Sequence, residues 1–370
     1  MSYRPDIKLL DATIRDGGLV NNFRFSDEFV KELYKTNVKA GVEYMEFGYK
    51  ASKDLFKVED FGKWKFCDEE DIRAIVGENN TNLKLTVMAD VGRCDYKKDI
   101  IPKDESVIDM IRIATYTHQM PGAIEMINYC HDLGYETTVN IMAISAAKEE
   151  DVKKSLEMVC DSPVDVIYLV DSYGSLYPEQ IREMTKMYCA AAESCGKKVG
   201  LHMHNNQQLA FANTIEGIAF GASFADATMS GMGRGAGNCF MEQMLAFLKN
   251  PNYNLSPALK FVEKYISQER EKGSVWGYDV PYMLTGVLNR HPRAAIAFIK
   301  DEKTDYGQFL SFEYLTYVPI DLEPVDVSLM EEQDLAWLNE YHAQVYEKIA
   351  PHLDAEEAAW LKEVTRPLSK

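Results

Sequence analysis

The sequence lacks any run of about 18 uncharged apolar residues, which excludes a transmembrane helix. It is also short of basic residues: 40 Lys and Arg stand against 58 Asp and Glu, a formal net charge of −18. A surface of that sign repels polyanions, so neither nucleic acid nor an anionic membrane is expected as a partner. An anionic substrate would need a local cationic group or a metal ion to overcome repulsion by this negatively charged surface.

Cysteine is present without a recognisable pattern. Seven cysteines, an odd number with no Cys-x-x-Cys spacing, argue against a disulfide framework and against a Cys-rich zinc site. The N-terminal segment lacks the apolar core of a signal peptide. We therefore expect a cytoplasmic protein whose cysteines are all reduced and occupy core or surface positions.

Short apolar segments alternate with amphipathic ones over roughly the first 250 residues. Strands that alternate with helices predict a parallel sheet, and eight such units close into a TIM barrel. A doubly wound sheet would carry a Gly-x-Gly-x-x-Gly fingerprint after the first strand, where Asp16-Gly17-Gly18 stands instead. The predicted strands cover residues 8–13, 42–48, 83–89, 107–114, 137–144, 164–170, 199–204 and 224–228, and the main helices cover residues 26–40, 122–134, 148–160 and 208–220, with another beginning at Pro178.

The pattern changes after Asn250. Residues 250–256 are polar, with prolines at 251 and 257, as in a domain boundary. We therefore predict a barrel domain over residues 1–250 and a mostly helical C-terminal region over 251–370 that contributes to the active site. The predicted C-terminal helices cover residues 259–268, 280–290, 306–315 and 331–349.

Barrel enzymes carry their active sites at the carboxyl ends of the strands. His202 and His204 follow the seventh strand, and residues i and i+2 of a strand share one face, so the two imidazoles can bind one ion. Asp16, at another predicted strand end, would complete a two-His, one-carboxylate set with open positions for substrate. Such nitrogen and oxygen ligands suit Mn²⁺, Mg²⁺, Fe²⁺, Co²⁺ or Zn²⁺.

Other polar residues stand at the same predicted mouth. Arg15 could stabilise an enolate oxygen or bind a carboxylate, and Glu46 is its natural ion-pair partner. Asp171 could orient a metal-bound histidine or simply precede a helix. In the glycine-rich loop at residues 231–238, Asn238 could give an oxygen to the metal and Arg234 could meet an anionic substrate group.

Five motifs in order resemble the DRE-TIM metallolyase superfamily, most closely its 4-hydroxy-2-oxovalerate aldolase branch. The likeness covers roughly residues 6–320 and includes a Gly-Tyr pair in the C-terminal region. The matching segments are Asp-Ala-Thr-Ile-Arg-Asp-Gly at 11–17, Met-Glu-Phe at 45–47, Val-Asp-Ser-Tyr-Gly at 170–174, His-Met-His-Asn at 202–205 and the glycine-rich loop at 231–238.

The resemblance implies that a divalent metal is held by Asp16, His202 and His204, with Asn238 as a further ligand. Manganese is the first expectation for this metal, with magnesium, cobalt or zinc as alternatives. The reaction it implies is cleavage or formation of a 4-hydroxy-2-oxo acid through a metal-bound pyruvate enolate, which Arg15 stabilises. It also implies a site lined by further substrate-binding or catalytic residues, namely Glu46, Asp171, Ser172, Arg234 and Tyr278.

One position departs from the family pattern. The aldolase has a histidine three residues after the metal-binding aspartate as its general base, and Leu19 stands there. A leucine cannot accept a proton, so His118 and Tyr278 are the candidate substitutes. A general base typically contributes about 10² to 10⁴ in rate, so the replacement cannot be silent if the reaction is unchanged.

Three other functions stay open on the sequence. The chain could be a Claisen-type synthase that joins an acyl-CoA to a 2-oxo acid, although Gly18-Leu19 replaces the Glu-Gln that often follows Arg-Asp-Gly in such synthases. It could be a non-catalytic or partner-dependent subunit, since relatives pair with an aldehyde dehydrogenase. A Schiff-base aldolase would use Lys50. A homodimer is the expected assembly.

Overall fold

A computed structural model of the chain describes residues 3–300, 302 and 316–370. The chain divides into two compact units, residues 1–309 and 310–370. The described residues between 251 and 300 therefore belong to the same unit as the barrel, so this division lies well beyond the boundary predicted at residue 250. The first unit carries every candidate site residue.

Eight parallel strands form a closed barrel in which β1 pairs with both β2 and β8. The fold confirms the predicted (β/α)8 TIM barrel, and the helical C-terminal region is confirmed with it. The strands are β1 (Lys8–Asp11), β2 (Tyr44–Tyr49), β3 (Lys84–Asp90), β4 (Met110–Thr115), β5 (Glu136–Ile141), β6 (Val166–Asp171), β7 (Lys198–Met203) and β8 (Phe224–Ala227).

Helices cover the outside of the barrel and continue beyond it. A typical case is the helix over Asp27–Ala40, where the Ser26 hydroxyl accepts a hydrogen bond from Phe29 N at 3.2 Å and Gly41 ends the helix with φ 78°. The helices of this unit are α1 (Thr13–Asn21), α2 (Asp27–Ala40), α3 (Glu69–Val76), α4 (Tyr96–Asp99), α5 (Met120–Asp132), α6 (Glu149–Cys160), α7 (Pro178–Ser194), α8 (Ala210–Ala219), α9 (Met241–Phe247), α10 (Leu255–Phe261), a π-helical turn (Val262–Ile266), α11 (Ser267–Glu271), α12 (Val280–Val287) and α13 (Arg293–Ile299).

The segment after β1 differs from the prediction. The first strand ends at Asp11, and α1 begins at Thr13. Arg15 and Asp16 therefore lie on a helix and not at the end of a strand. The Asp11 carboxylate accepts hydrogen bonds from Thr13 N at 3.1 Å and Thr13 Oγ1 at 2.9 Å, which fixes this turn. A Cβ at Gly18 would overlap the ring of Phe23, so the short helix needs glycine to pack.

The cysteine prediction is wrong for one pair. Cys160, at the end of α6, and Cys195, just after α7, form a disulfide with their Cα atoms 5.6 Å apart. The pair was not apparent from sequence because 35 residues separate its members and only the packing of two neighbouring helices brings them together. In the described part of the chain, no helix is both long and apolar enough to cross a membrane.

Charged side chains enter the interior of the barrel. Glu46, Arg112, His202 and Asp226 contact one another there, and each is nearly or fully buried. A separate cluster of buried apolar residues comes from strands of the same barrel and from the residue after β1. Its members are Leu10, Ala12, Tyr44, Met110, Val166, Tyr168, Val170 and Phe224.

The second unit contains a pair of helices, α14 (Glu332–Ile349) and α15 (Ala355–Val364). Its apolar cluster is small and consists of Tyr341, Val345 and Leu361. The Asp354 carboxylate caps α15 by accepting hydrogen bonds from two backbone amides. The helix predicted over 331–349 corresponds to α14, whereas the one predicted over 306–315 lies outside the described residues.

Candidate active site

Three potential metal ligands converge at the mouth of the barrel. Asp16 lies in the first turn of α1, His202 lies on β7, and His204 lies one residue beyond that strand. Each offers one ligand atom, and these atoms all lie within 4.8 Å of one another in a buried position. The fold therefore brings together the three residues that the sequence predicted as metal ligands.

Unsatisfied polar atoms surround this triad. His202 Nε2, His204 Nδ1 and Asn238 Oδ1 are buried and have no hydrogen-bond partner within the described residues. A buried polar atom left unpaired costs about 1–3 kcal/mol, so a cation shared among them would remove a substantial penalty. The donor set contains nitrogen and oxygen without thiolate, which suits Mn²⁺, Mg²⁺, Co²⁺ or Zn²⁺. The residues present thus fit a divalent metal.

The electrostatics of the triad favour the protonation states that bind metals. Burial opposes ionisation of Asp16, but the positive charges of Arg15 and Arg234 hold the pKa of that carboxyl below its usual range. Burial lowers the pKa of His204 well below its usual value. An ionised carboxylate and a neutral imidazole are the forms that coordinate a cation.

A buried chain of ion pairs connects Arg15 to the metal-site histidine. Glu46 Oε2 accepts hydrogen bonds from Arg15 Nε and Arg112 Nη1, each at 2.8 Å. Arg112 Nη2 donates to Asp226 Oδ2 at 2.6 Å. The same oxygen lies 3.0 Å from His202 Nδ1, which leaves Nε2 of that ring facing the triad. Asp226 is therefore placed to orient this imidazole if it binds a metal.

Sequence reasoning missed Arg112 and Asp226. Both are fully buried and stand on strands whose other residues are mostly apolar, β4 and β8. A charged residue in a buried strand needs a partner of opposite sign, because an isolated buried charge is very costly. Together with Glu46 on β2, these residues carried a readable signal for an internal ion-pair network.

Arg15 has one donor nitrogen to spare. Its Nη1 donates to Asp16 Oδ1 at 2.9 Å, and its Nε is engaged by Glu46. Its Nη2 is buried and has no hydrogen-bond partner among the residues that the structure describes. The guanidinium is thus held rigidly beside the metal triad with a free N–H group.

The glycine-rich loop after β8 completes this side of the site. Asn238 Nδ2 donates to Asp16 Oδ2, so the amide lies directly against the triad. A Cβ at Gly233 would lie 2.5 Å from Asp16 Oδ2, which explains glycine at this position. Arg234 Nη2 donates to Ser172 O at 3.1 Å, and its buried Nε has no partner in the described ranges.

Asp171 has a different position from the one expected for a substrate ligand or a histidine partner. Its two carboxylate oxygens accept hydrogen bonds from Ser175 N at 3.0 Å and Leu176 N at 3.1 Å. It therefore organises the loop after β6, while Asp226 is the residue that contacts His202. The neighbouring Ser172 Oγ accepts a hydrogen bond from Ala143 N at 2.8 Å, so it remains able to donate its own proton.

Asp171 should make stability fall as pH rises. Burial raises the pKa of this carboxyl from 3.8 to about 6, although backbone hydrogen bonds oppose the shift. Between these two pH values the folded state therefore keeps a proton on Asp171 that the unfolded state has lost. This proton's contribution to the free energy of unfolding is complete below the unfolded pKa of 3.8 and is lost as the pH rises through about 6. The total change is about 3 kcal/mol. Asp171→Asn should lack this component in urea titrations at successive pH values, and parallel curves for the two proteins would contradict it.

Tyr278 and Leu19 line one cavity of about 450 Å³ together with Arg234. The tyrosine is 56% exposed, on a loop that a hydrogen bond from Gly277 N to Gly235 O (3.0 Å) attaches to the glycine-rich loop. The predicted association of the C-terminal Gly-Tyr pair with the mouth of the barrel thus has a structural basis. Leu19 presents an apolar side chain in the same cavity.

His118 lies in an exposed 3₁₀ turn, Thr117–Gln119, after β4. Its ring stacks on Tyr116, with the two centroids 5.6 Å apart and the planes at 11°. This environment has none of the burial that the triad shows. The structure gives no contact between His118 and the residues of the metal site.

The sequence profile described as HMGL-like matches residues 6–265 of the chain. The chain belongs to the HMGL-like family. A second profile, described as the C-terminal region of peptidase M24, matches residues 308–368. The second match coincides closely with the C-terminal compact unit, which is therefore similar to a segment found outside this family.

Several relatives of the HMGL-like chain have named activities. A 4-hydroxy-2-oxovalerate aldolase from Bacillus cereus is 27% identical over 314 residues, 82% of this chain and 89% of the relative. An oxaloacetate decarboxylase from Mycobacterium tuberculosis is 27% identical over 242 residues, 65% of this chain and 69% of the relative. The N-terminal domain of a candidate aldolase from Bacteroides vulgatus superposes with a TM-score of 0.71 and 27% identity, covering 80% of this chain and 97% of that domain.

These findings place the chain among the DRE-TIM metallolyases, with several 4-hydroxy-2-oxovalerate aldolases among its relatives, as its motifs predicted. The family membership and the relatives together indicate a lyase of the aldolase type.

Proposed function

We propose that this chain is a divalent-metal-dependent aldolase that cleaves or forms a 4-hydroxy-2-oxo acid through the enolate of pyruvate. The observation that carries the proposal is the buried triad of Asp16, His202 and His204, whose ligand atoms face one another. A divalent cation held there would supply Lewis acidity to the 2-oxo group of the substrate. Manganese is the first candidate for this cation.

The protein's own groups are arranged for the charge that develops in such a reaction. Breaking the bond between C3 and C4 of the substrate places negative charge on the C2 oxygen. Arg15 Nη2, free and rigidly held, can donate to that oxygen, and a preorganised donor of this kind contributes about 10² to 10³ in rate. The unpartnered Nε of Arg234 can donate to the substrate carboxylate.

A specific observation supports a second candidate function, decarboxylation of a 2-oxo dicarboxylate. Loss of CO₂ from such a substrate yields the same pyruvate enolate but removes no hydroxyl proton. It therefore needs no base at position 19, where this chain has Leu19. One of the relatives is an oxaloacetate decarboxylase.

The remaining alternatives have less support. Lys50, the candidate for Schiff-base chemistry, is buried and donates to Cys67 O at 2.8 Å, so its amine is engaged by the protein. A Claisen synthase and a non-catalytic subunit stay hypotheses. We also propose a 2-oxo acid as the substrate, an aldehyde dehydrogenase as a partner, a homodimer as the assembly and the cytoplasm as the location.

The test is a metal-controlled screen. Purified protein is loaded with Mn²⁺ or treated with a chelator and offered 4-hydroxy-2-oxovalerate, longer 4-hydroxy-2-oxo acids and oxaloacetate, with pyruvate release as the readout. We expect cleavage of at least one hydroxy acid and a loss of more than about 100-fold on chelation, because Lewis-acid stabilisation is worth several kcal/mol. Borohydride should trap no covalent adduct. Undiminished cleavage in the chelated protein, or an adduct on Lys50, would reject the proposal.

A further inference from the structure

Asp90 is the last residue of β3 and faces the interior of the barrel at its mouth. In the parallel register of β3 and β4, Met88 pairs with Arg112 and Asp90 pairs with Ala114. Arg112 points into the barrel, where it binds Glu46 and Asp226. Paired residues in a sheet share a face, and side chains alternate along a strand, so Met88 and Asp90 point inward as well.

The residues on either side of Met88 confirm this orientation. Val87 and Ala89 belong to the apolar layer between the strands and the surrounding helices, so the alternate residues Met88 and Asp90 lie on the opposite, inner face. β3 ends at Asp90, so the carboxylate stands at the carboxyl end of the barrel, where barrel enzymes hold their substrates.

One oxygen of this carboxylate has no partner. Asp90 Oδ1 is buried, and no group in the described part of the chain donates a hydrogen bond to it. The charged groups that act on the carboxylate are Lys65, Arg93, Arg15 and Glu46. The Asp90 pKa is raised by burial, although the three cations oppose the shift. Arg15 acts on both Asp90 and Asp16, so this carboxylate shares an electrostatic environment with the metal triad.

An aromatic cage surrounds Lys65, the cation with the largest effect on the Asp90 carboxylate. Its ammonium nitrogen lies 4.5 Å from the ring centroid of Tyr49 and 4.4 Å from that of Phe56, and further from the rings of Phe23 and Phe61. Burial lowers the pKa of Lys65 to about 8, with Asp90 as the leading opposing charge. Lys65 therefore supports a carboxylate at position 90 without a direct salt bridge, which leaves Oδ1 open.

The other candidate acceptors lack these features. Leu19 is apolar, His118 is exposed and stacked on Tyr116, and Tyr278 is 56% exposed. Asp90 combines an inward direction, an open buried oxygen and a place at the mouth.

We propose that Asp90 is the proton acceptor for the 4-hydroxyl group of the substrate, a role that rests on the aldolase function proposed above. The hydroxyl proton moves to Asp90 Oδ1, and the O–H electron pair forms the carbonyl bond of the departing aldehyde. The bond between C3 and C4 breaks, and its electrons form the C2–C3 double bond of the enolate, with the negative charge on the C2 oxygen. A proton taken up at C3 gives pyruvate, and Asp90 returns its proton to solvent.

The test uses Asp90→Asn in the full chain loaded with Mn²⁺, with Asp95→Asn, an exposed aspartate on the connection that follows β3, as a matched control. Asparagine keeps the shape of aspartate but cannot accept the proton. We expect pyruvate release from 4-hydroxy-2-oxo acids to fall by about 10²- to 10⁴-fold, with metal content and oxaloacetate decarboxylation changing less than about threefold. Asp95→Asn should match the wild type in all three measurements.

A double variant separates catalysis from structure. Leu19→His in the Asp90→Asn background should recover at least about tenfold of the lost cleavage, because it supplies an acceptor at the family position. Three results would each overturn the role of Asp90. They are cleavage by Asp90→Asn within tenfold of wild type, a loss of decarboxylation equal to the loss of cleavage, and no recovery of cleavage in the double variant. A wild type that cleaves no hydroxy acid would instead reject the aldolase function itself, and the inference with it.

Discussion

His202→Ala should lose bound metal and activity together, whereas Arg15→Ala should keep its metal and lose turnover. His202 contributes one of the three converging ligand atoms, and its Nε2 has no other partner within the described residues. Arg15 contributes no ligand atom, and its spare Nη2 is available to a developing oxyanion. In the proposed function, His202 would therefore bind the cation and Arg15 would stabilise the developing charge.

Asp226→Asn should fall between these two variants. The carboxylate contacts His202 Nδ1 at 3.0 Å and is not one of the three converging ligand groups. Residues in this position typically contribute about 10- to 100-fold to metal affinity.

For Arg15→Ala we expect a loss of about 10² to 10³ in kcat at saturating Mn²⁺.

Metal content by elemental analysis and Mn²⁺ titration, measured beside kcat, distinguishes the three variants. His131→Ala, an exposed histidine on α5, is the control for nonspecific metal binding and should match the wild type. Equal metal loss in His202→Ala and Arg15→Ala would contradict the division of roles. That result would mean that Arg15 acts chiefly by holding Asp16, to which it donates at 2.9 Å.

The sequence predicted the barrel and the metal triad because both depend on short-range pattern. Eight apolar segments of strand length specify the barrel, and the spacing of His202 and His204 places both rings on one face of β7. Asp16 was placed correctly at the mouth even though the prediction put it on a strand end. The turn between β1 and α1 reaches the same rim by a helix.

The features that sequence did not reveal depend on long-range packing. Asp226 contacts His202 because β7 and β8 are neighbours in the closed sheet, and Asp171, which looked equivalent, instead accepts hydrogen bonds from its own loop. The inward direction of Asp90 follows from the register with β4, which no local pattern specifies. Pairing of Cys160 with Cys195 likewise depends on the packing of two helices.

Arg112→Met should destabilise the fold by about 3–5 kcal/mol, because it leaves two buried carboxylates without their shared cation. Arg112 is fully buried and donates to Glu46 at 2.8 Å and to Asp226 at 2.6 Å, while its guanidinium lies 4.5 Å from the ring centroid of Tyr168. Methionine fills a similar volume, so the loss would come mainly from charge and not from a cavity. Arg112→Lys should recover only part of it, since a single ammonium cannot reproduce a planar guanidinium that bridges two carboxylates.

Urea unfolding at neutral pH measures this effect, with Arg182→Met as the matched control. Arg182 forms an exposed ion pair with Glu216 at 2.6 Å, and pairs of that kind contribute about 0.2–1 kcal/mol. A comparable small loss in Arg112→Met would mean that Glu46 and Asp226 take up protons at little cost when the arginine is gone. The interior network would then serve to orient Arg15 and His202 and not to stabilise the barrel, and the loss would appear in metal affinity and kcat at unchanged stability.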